Sequence, residues 1–250
     1  MAVELRTASP LLRPGLLRGR PVLTANLFCL LLGSGQFAAF YFVSLCLQQV
    51  FGYGPTAAGA AFLPFCVGVV AGSVIATRTV ARLGTRRLLA TGGALAALGI
   101  AGFAATARAD GTFLTSILGP SLVASVGIGM CFVPLGTAAA TDVVPGETGM
   151  ASGPLNSSRQ VGGSLGLAVL VTVAAQVTGG AAGRDELVRG YAAAFWVAAG
   201  LLALAALAAL VLLPGDRGTG PGTVPVAGPE NSQKNSAGGV DPAVARSTQG

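Results

Sequence analysis

The sequence contains no histidine and few charged residues. Only 10% of its 250 residues are charged, whereas 52% are hydrophobic. Soluble domains carry roughly 25% charged residues, so this chain has too few to cover a water-exposed surface. Without histidine it also lacks the commonest general base and the commonest metal ligand. The composition indicates an integral membrane protein and argues against an enzyme.

Cysteine is sparse as well, and its four residues stand singly in apolar runs, at Cys29, Cys46, Cys66 and Cys131. There is no C-x-x-C spacing, so we expect no zinc site, no disulfide framework and no bound cofactor. The net charge of +6 could attract nucleic acid, but 14 of the 15 basic residues are arginine and most flank apolar runs. That distribution is typical of membrane topology, so no nucleic-acid partner is predicted.

Long apolar runs predict six membrane-spanning helices, since one crossing needs about 20 mostly apolar residues. The stretch from Pro21 to Thr77 carries no charge, and the polar, glycine-containing segment 48–56 divides it. The predicted fold is an all-α, six-helix integral membrane bundle over residues 21–213. Its helices have the approximate bounds 22–47, 57–77, 88–107, 113–141, 152–178 and 190–213.

The basic residues predict the orientation of this bundle. Arginines precede the first helix and fill the connection 78–87, whereas the connection 48–56 carries no charge. The positive-inside rule then places both termini in the cytoplasm of a multi-pass protein of the cell membrane. Residues 1–20 are predicted to form a cytoplasmic leader. Residues 214–250 are rich in proline and glycine and have no apolar face, which predicts a disordered cytoplasmic tail.

One amide interrupts the first predicted helix. Gln36 lies near its middle, with Gly33 and Phe40 on the same helical face. A polar group at this depth needs hydrogen-bond partners, so we expect it to face the interior of the bundle. Two interpretations remain open: an interhelical hydrogen bond that only fixes packing, or a residue that lines a substrate path.

Helix-breaking residues occur inside two other predicted helices. Pro64 lies in the second helix, and the fourth contains Gly127, Gly129 and Pro134. A proline inside a helix removes a backbone hydrogen bond and bends the helix. Glycine and proline are common in membrane helices generally, so these positions indicate either breaks or packing contacts.

The fifth predicted helix is the most polar. Asn156, Arg159 and Gln160 are candidate substrate-path residues, and Gly162 and Gly166 form a small-xxx-small pair that allows close helix packing. An arginine at the bilayer centre costs at least about 2.5–3.5 kcal/mol. Arg159 is therefore either an anchor that extends to the cytoplasmic interface or a charged group at the inner mouth of a polar cavity.

Three segments carry motifs of a known kind of membrane protein. The stretch 42–64, FVSLCLQQVFGYGPTAAGAAFLP, and the stretch 149–168, GMASGPLNSSRQVGGSLGLA, are the two longer ones. They resemble the first two helices and the penultimate helix of the C-terminal half of the major facilitator superfamily. More narrowly, they resemble its fourteen-helix drug:proton antiporter branch.

The third segment, 78–87 (RTVARLGTRR), is similar to the cytoplasmic signature G-x-L-x-D-R-x-G-R-R of the same superfamily. Arg82 and Gly84 match this signature, whereas its acidic position is occupied by Ala81. The resemblance implies a cytoplasmic gating loop that comprises Arg78, Arg82, Gly84, Arg86 and Arg87.

The resemblance also implies that this chain is only the C-terminal half of a facilitator-type fold. A complete member would have further helices before Met1, with the membrane-embedded acids that such antiporters use for proton coupling. We therefore expect a truncated gene product or a misplaced start. The expected partners are the lipid bilayer, a small-molecule substrate that the sequence does not identify, and either a missing N-terminal half or a second copy.

Two functions follow from this reading. The first is transmembrane transport, as half of a proton-coupled exporter of drugs or small amphipathic molecules. The alternative is a truncated, non-transporting or accessory membrane bundle that lacks the proton-coupling half. An intramembrane enzyme is disfavoured, because the chain has no histidine to act as an ordinary base.

Overall fold

The computed structural model describes residues 20–108, 112–140, 148–179 and 183–213, and within these ranges the chain forms helices and no strand. The helices are α1 (Arg20–Leu45), α2 (Pro55–Ala60), α3 (Leu63–Thr106), α4 (Gly119–Ala140), α5 (Thr148–Thr178) and α6 (Arg184–Leu212). Two wider, π-helical segments, Cys46–Val50 and Phe113–Leu118, extend α1 and precede α4. The predicted leader, except for its last residue, and the predicted tail lie outside the described residues.

Five helical stretches in the described part are long and apolar enough to cross a membrane. They are Val22–Val50, Pro55–Thr106, Ser116–Gly136, Gly153–Thr178 and Arg184–Leu212. The second contains 52 residues. A straight helix of that length would measure about 78 Å, more than twice the hydrocarbon core of about 30 Å. This stretch therefore needs more than one straight crossing to be accommodated.

The long helix α3 is interrupted at Gly84, where φ is 76° and ψ is 163°. An L-residue with a side chain rarely adopts this conformation, which glycine tolerates because it has no Cβ. Before this residue, α3 packs along α4 with residue numbers rising together. Gly68 lies against Ser125, and Gly72, one turn later, lies against Met130. The first half of α3 therefore runs parallel to α4.

After Gly84 the direction of α3 is reversed relative to α4. Gly92 lies beside Gly127, whereas Gly99, two turns later, lies beside Ala124. Residue numbers now rise along α3 while they fall along α4, so the second half of α3 is antiparallel to α4. The two halves of α3 thus form a helical hairpin whose turn is one glycine.

Helix α1 runs parallel to α5. Near the start of α1, Asn26 accepts a hydrogen bond from Ser158. Three turns further on, Phe37 packs against Gly163. Both helices therefore advance in the same direction along their shared contact.

Helix α6 runs antiparallel to both α1 and the second half of α3. The contacting pairs are Gly35–Leu202, Phe42–Phe195, Gly93–Ala206 and Phe103–Phe195. Combined with the directions above, α1, the two halves of α3, α4, α5 and α6 point alternately in opposite directions along the chain. The start of α1 and the end of α6 consequently lie at the same end of the bundle.

Several helices begin at other residues than the apolar runs predicted. Pro64 does not bend a helix from within, because one helix ends and α3 begins just before it. It lies in the first turn of α3, where a backbone N–H has no partner within the helix, so its missing N–H costs no hydrogen bond. Helix α5 begins at Thr148 rather than 152. Helix α6 begins at Arg184, and its first turn contains Asp185 and Glu186, whose charges favour a helix N-terminus.

Candidate functional site

The contact between α1 and α5 is made by backbone against backbone. A Cβ on Gly33 would collide with the carbonyl oxygen of Arg159, and one on Gly162 would collide with that of Leu30. A Cβ on Gly166 would likewise collide with Ser34. The glycine pair 162/166 therefore allows the close helix approach that its spacing predicts.

Hydrogen bonds tie the same two helices together. Ser34 Oγ lies 2.8 Å from the carbonyl oxygen of Gly162 and 2.9 Å from that of Leu30. Closer to the start of both helices, Ser158 Oγ donates to Asn26 Oδ1 at 2.8 Å. Such bonds persist in an apolar surrounding because no water competes for the groups. Together with the glycine contacts they make α1 and α5 a closely joined pair.

Arg159 emerges from this pair toward α4. Its guanidinium carbon lies 5.2 Å from the centroid of the Phe132 ring, within the range of a cation–π interaction. Because α5 begins at Thr148, Arg159 lies about 16 Å along the helix, and about 9 Å along the apolar stretch that begins at Gly153. Within the described ranges the only ion pair is Glu186–Arg189, so Arg159 has no carboxylate partner there.

Gln36 lies at the midpoint of the apolar stretch Val22–Val50. Only 7% of its surface is exposed, and its Oε1 is buried without a hydrogen-bond donor among the described residues. At 100° per residue, Gln36 shares one side of α1 with Cys29 and Gly33. This side is turned toward Arg159, whose main chain lies against Gly33, whereas Gly35 faces Leu202 of α6. The amide therefore faces the interior, as its depth predicts, but its oxygen is left unpaired.

The interior of the bundle includes the region between α4 and the pair α1/α5. Helix α4 packs closely along α3 but touches α1 and α5 at only a few positions. We call this space the α4 seam. It is bordered by Gln36 on α1, Phe132 on α4 and Arg159 on α5. The seam thus brings together one cation, one aromatic ring and one unpaired amide oxygen.

The outer surface of α5 is divided into a polar and an apolar stripe. Asn156, Gln160 and Ser164 are exposed along one side. Leu165 and Val169 are 60% and 56% exposed along another. Amides and hydroxyls are costly in contact with lipid, so the polar stripe fits water or another protein surface better than acyl chains. Asn156 and Gln160 therefore lie apart from Arg159, outside the α4 seam.

The predicted gating loop is not a loop. Its arginines stand on helical turns on both sides of Gly84, at the tip of the α3 hairpin. Arg78, Arg82 and Arg87 are exposed, and Arg86 is half-buried. The tip is accordingly a basic surface at the end of the bundle where α1 begins.

The two glycines of α4, for which a break and a packing contact both remained open, lie at packing contacts. Gly127 allows the backbone of Ala96 to approach, and Gly129 lies against the carbonyl of Val69, so each serves one half of the α3 hairpin. Pro134 stands inside α4 and is fully buried.

Some contributors were not identified from the sequence. Phe132 lies in an apolar run and gives no signal that it will meet a cation. Asn26 could have been found, because it precedes Gly33 by two helical turns on the same face of α1, whereas Ser34 follows Gly33 directly and has no such spacing.

A bundle of long apolar helices with a basic end and polar groups in its interior defines a multi-pass membrane protein. The family model of the Major Facilitator Superfamily matches residues 4–167. The chain belongs to this superfamily of membrane transporters.

Named relatives are antibiotic export or resistance proteins. The Cephamycin export protein CmcT of Amycolatopsis lactamdurans is 37% identical over 229 residues, covering 90% of this chain and 46% of that protein. The Puromycin resistance protein pur8 of Streptomyces alboniger is 36% identical over 225 residues, 84% of this chain and 44% of the relative. The Tetracenomycin C resistance and export protein of Streptomyces glaucescens is 30% identical, with 70% and 32% covered. The chain thus spans less than half the length of these relatives.

Proposed function

We propose that this chain forms the C-terminal half of a facilitator-type antiporter of the fourteen-helix branch, which exports drugs or small amphipathic molecules through the cell membrane. The observation that carries the proposal is the alternating direction of the helices, in a chain that matches less than half of each antibiotic exporter named above. Facilitator-type carriers hold their substrate between two six-helix bundles that rock against each other.

We count six crossings rather than five. The halves of α3 contact α4 in opposite directions, through Gly68 and Gly72 before Gly84 and through Gly92 and Gly99 after it. A chain that reverses at Gly84 enters and leaves the membrane within the stretch 55–106. This hairpin also explains how a stretch of 52 residues fits a core of about 30 Å.

The positive charge supports a cytoplasmic location for the start of α1 and the end of α6. Arg78, Arg82, Arg86 and Arg87 stand at the hairpin tip, which lies at the same end as the start of α1 and the end of α6. At the other end of the bundle, the segment 46–54 that joins α1 to α2 carries no charge. Basic residues concentrate on the cytoplasmic side of membrane proteins.

The polar stripe of α5 supports a second bundle as partner. Asn156, Gln160 and Ser164 would be costly against lipid. A neighbouring half, or the water-filled path between two halves, would receive them. We assign Asn156 and Gln160 to that path and Arg159 and Gln36 to the seam behind it.

Proton coupling would depend on acids from elsewhere in a complete carrier. In the described spans the only carboxylates are Asp185 and Glu186, in the first turn of α6. Neither lies near Arg159 along the chain or in the bundle. The proton-binding groups of the proposed antiporter would therefore belong to the other half.

A non-transporting or accessory bundle is the second candidate. A six-helix bundle on its own lacks the second wall that alternating access needs.

A chimera tests the two candidates. The segment of the puromycin resistance protein that this chain matches is replaced by residues 1–213, and the fusion is expressed in a puromycin-sensitive host. We expect puromycin resistance and energy-dependent dye efflux from the fusion, and neither from the chain alone. A membrane-inserted fusion without efflux would favour the accessory bundle.

Topology is tested by cysteine labelling in a variant whose four native cysteines are replaced by alanine. Arg87→Cys should react with an impermeant maleimide only after the cells are opened, whereas Tyr53→Cys should react in intact cells. Labelling of both positions from the same side would contradict the six-crossing topology.

A further inference from the structure

The unpaired oxygen of Gln36 is the first of three observations that converge on the α4 seam. Gln36 is 7% exposed, and its Oε1 finds no donor in the described part of the chain. A buried acceptor without a donor costs the full desolvation penalty of the group, and nearly all such groups in proteins are paired. A donor that arrives with a ligand would recover this cost.

The second observation is the charge of Arg159. The ring of Phe132 covers its guanidinium at 5.2 Å, and no carboxylate of the described residues pairs with it. A guanidinium presents five N–H donors in its plane, suited to bidentate binding of a carboxylate or sulfonate. An anion is attracted more strongly here than in water, because the partly buried charge lies about 9 Å along the apolar stretch that begins at Gly153.

The third observation is that the two groups border the same region between α1, α4 and α5. Gly33 abuts the main chain of Arg159, and Gln36 follows one helical turn later on the same side of α1. The three residues from Gly33 to Gln36 correspond to an axial offset of about 4.5 Å. Helix α4 contacts both α1 and α5, and its Phe132 lies over the guanidinium of Arg159 in the same region.

We propose, on the basis of the transport function above, that the α4 seam binds amphipathic anions. The ligand carries one anionic group for Arg159, an aromatic or apolar body that packs on Phe132, and an N–H or O–H donor for Gln36 Oε1. Arg159 selects ligands that carry a negative charge, and Gln36 selects ligands that carry a hydrogen-bond donor.

Two matched probes test this recognition. The first, 8-anilinonaphthalene-1-sulfonate, has an aromatic body, one sulfonate and one N–H. The second, N-phenyl-1-naphthylamine, is the same scaffold without the sulfonate. Saturable fluorescence is measured with the full chain in nanodiscs of zwitterionic lipid, after subtraction of empty discs. We expect the sulfonate probe to bind at least about tenfold more tightly than the uncharged one, as charge-assisted hydrogen bonds are the strong ones.

Variants assign the two roles. Arg159→Gln should weaken the binding of the sulfonate probe by about tenfold or more and change the binding of the uncharged probe by less than about twofold. Arg159→Lys should retain part of the difference in affinity between the two probes. Gln36→Met should weaken both probes by about threefold, because both carry the N–H. Two variants serve as controls. Arg189→Gln removes an exposed cation of α6, and Gln176→Met removes an exposed amide of α5.

Stability separates a binding role of Gln36 from a packing role. Gln36→Met removes an unpaired buried oxygen, so the ligand-free chain should unfold at a higher temperature although it binds the probes less tightly. A lower unfolding temperature would show that the amide only supports packing and would overturn its assignment. If Arg159→Gln lowered the affinity for both probes equally, the assignment of charge recognition to Arg159 would be overturned. Because binding does not need transport, a chimera without efflux leaves these outcomes readable.

Discussion

Gly33 lies directly against the main-chain carbonyl of Arg159, so the residue that carries the guanidinium beside Phe132 is held by a glycine of another helix. A side chain on Gly33 has no space, because the atom in its way belongs to a helical backbone that cannot turn aside. The position of the charge in the bundle therefore depends on how closely α1 approaches α5.

The first prediction concerns this approach. Gly33→Ala should lower the free energy of unfolding by about 1–3 kcal/mol, since overpacking forces the helices apart. Gly200→Ala is the control, because a Cβ at Gly200 meets no atom within 4 Å and alanine favours a helix. Reversible unfolding in mixed micelles measures both. Equal stability of the two variants would contradict a close α1–α5 contact.

The second prediction concerns the cation–π pair. In a double-mutant cycle, Phe132→Leu and Arg159→Gln should couple by about 0.5–2 kcal/mol, the range between exposed and desolvated cation–π contacts. Phe132→Tyr keeps the ring and should keep the coupling. The same unfolding measurement applies, and additive effects of the two substitutions would show that the guanidinium does not rest on the ring.

The third prediction concerns the turn of the α3 hairpin. Gly84→Ala places a Cβ on a residue with φ 76° and ψ 163°, a conformation that is essentially restricted to glycine. We expect a loss of about 1–3 kcal/mol in stability. Gly59→Ala, at a helical glycine with open space around it, should have little effect. A Gly84→Ala variant as stable as the unmodified chain would indicate a different turn.

The fourth prediction concerns the end of the bundle opposite to the basic tip. Tyr191 donates a hydrogen bond of 2.6 Å to Gln49 Oε1 and links α6 to the segment that follows α1. Tyr191→Phe should cost about 0.6 kcal/mol, the mean for interhelical bonds in membranes. Tyr41→Phe is the matched control, because the exposed Tyr41 hydroxyl makes no hydrogen bond to other described residues. Thermal unfolding of both variants decides the point.

Much of the fold could be predicted from apolar run length alone, because lipid forces a spanning segment to satisfy its own backbone. The same rule predicts no boundary in detail. The break before Pro64 and the start of α6 at Arg184 depend on local helix-end chemistry, which run length ignores. The connection 78–87 reads as a loop because of its charges, yet arginines are good helix formers and only Gly84 leaves the helix.

The candidate site could be predicted only in part. Gln36 and Arg159 stand out because polar groups are rare at membrane depth. Their common location could not be predicted, since it depends on which helix packs against which. Phe132 had no distinguishing signal in an apolar run, and its role follows only from the position of Arg159.

The single-residue turn at Gly84 also constrains how the protein is made. When the two halves of α3 cross as we propose, no soluble loop separates them, and the arginines beside the turn must stay on the ribosome's side of the membrane. The first half of α3 cannot enter the lipid before the second half is made, because the charged tip connects the two halves directly, with no intervening loop. The hairpin would therefore leave the insertion machinery as one unit, already folded back on itself.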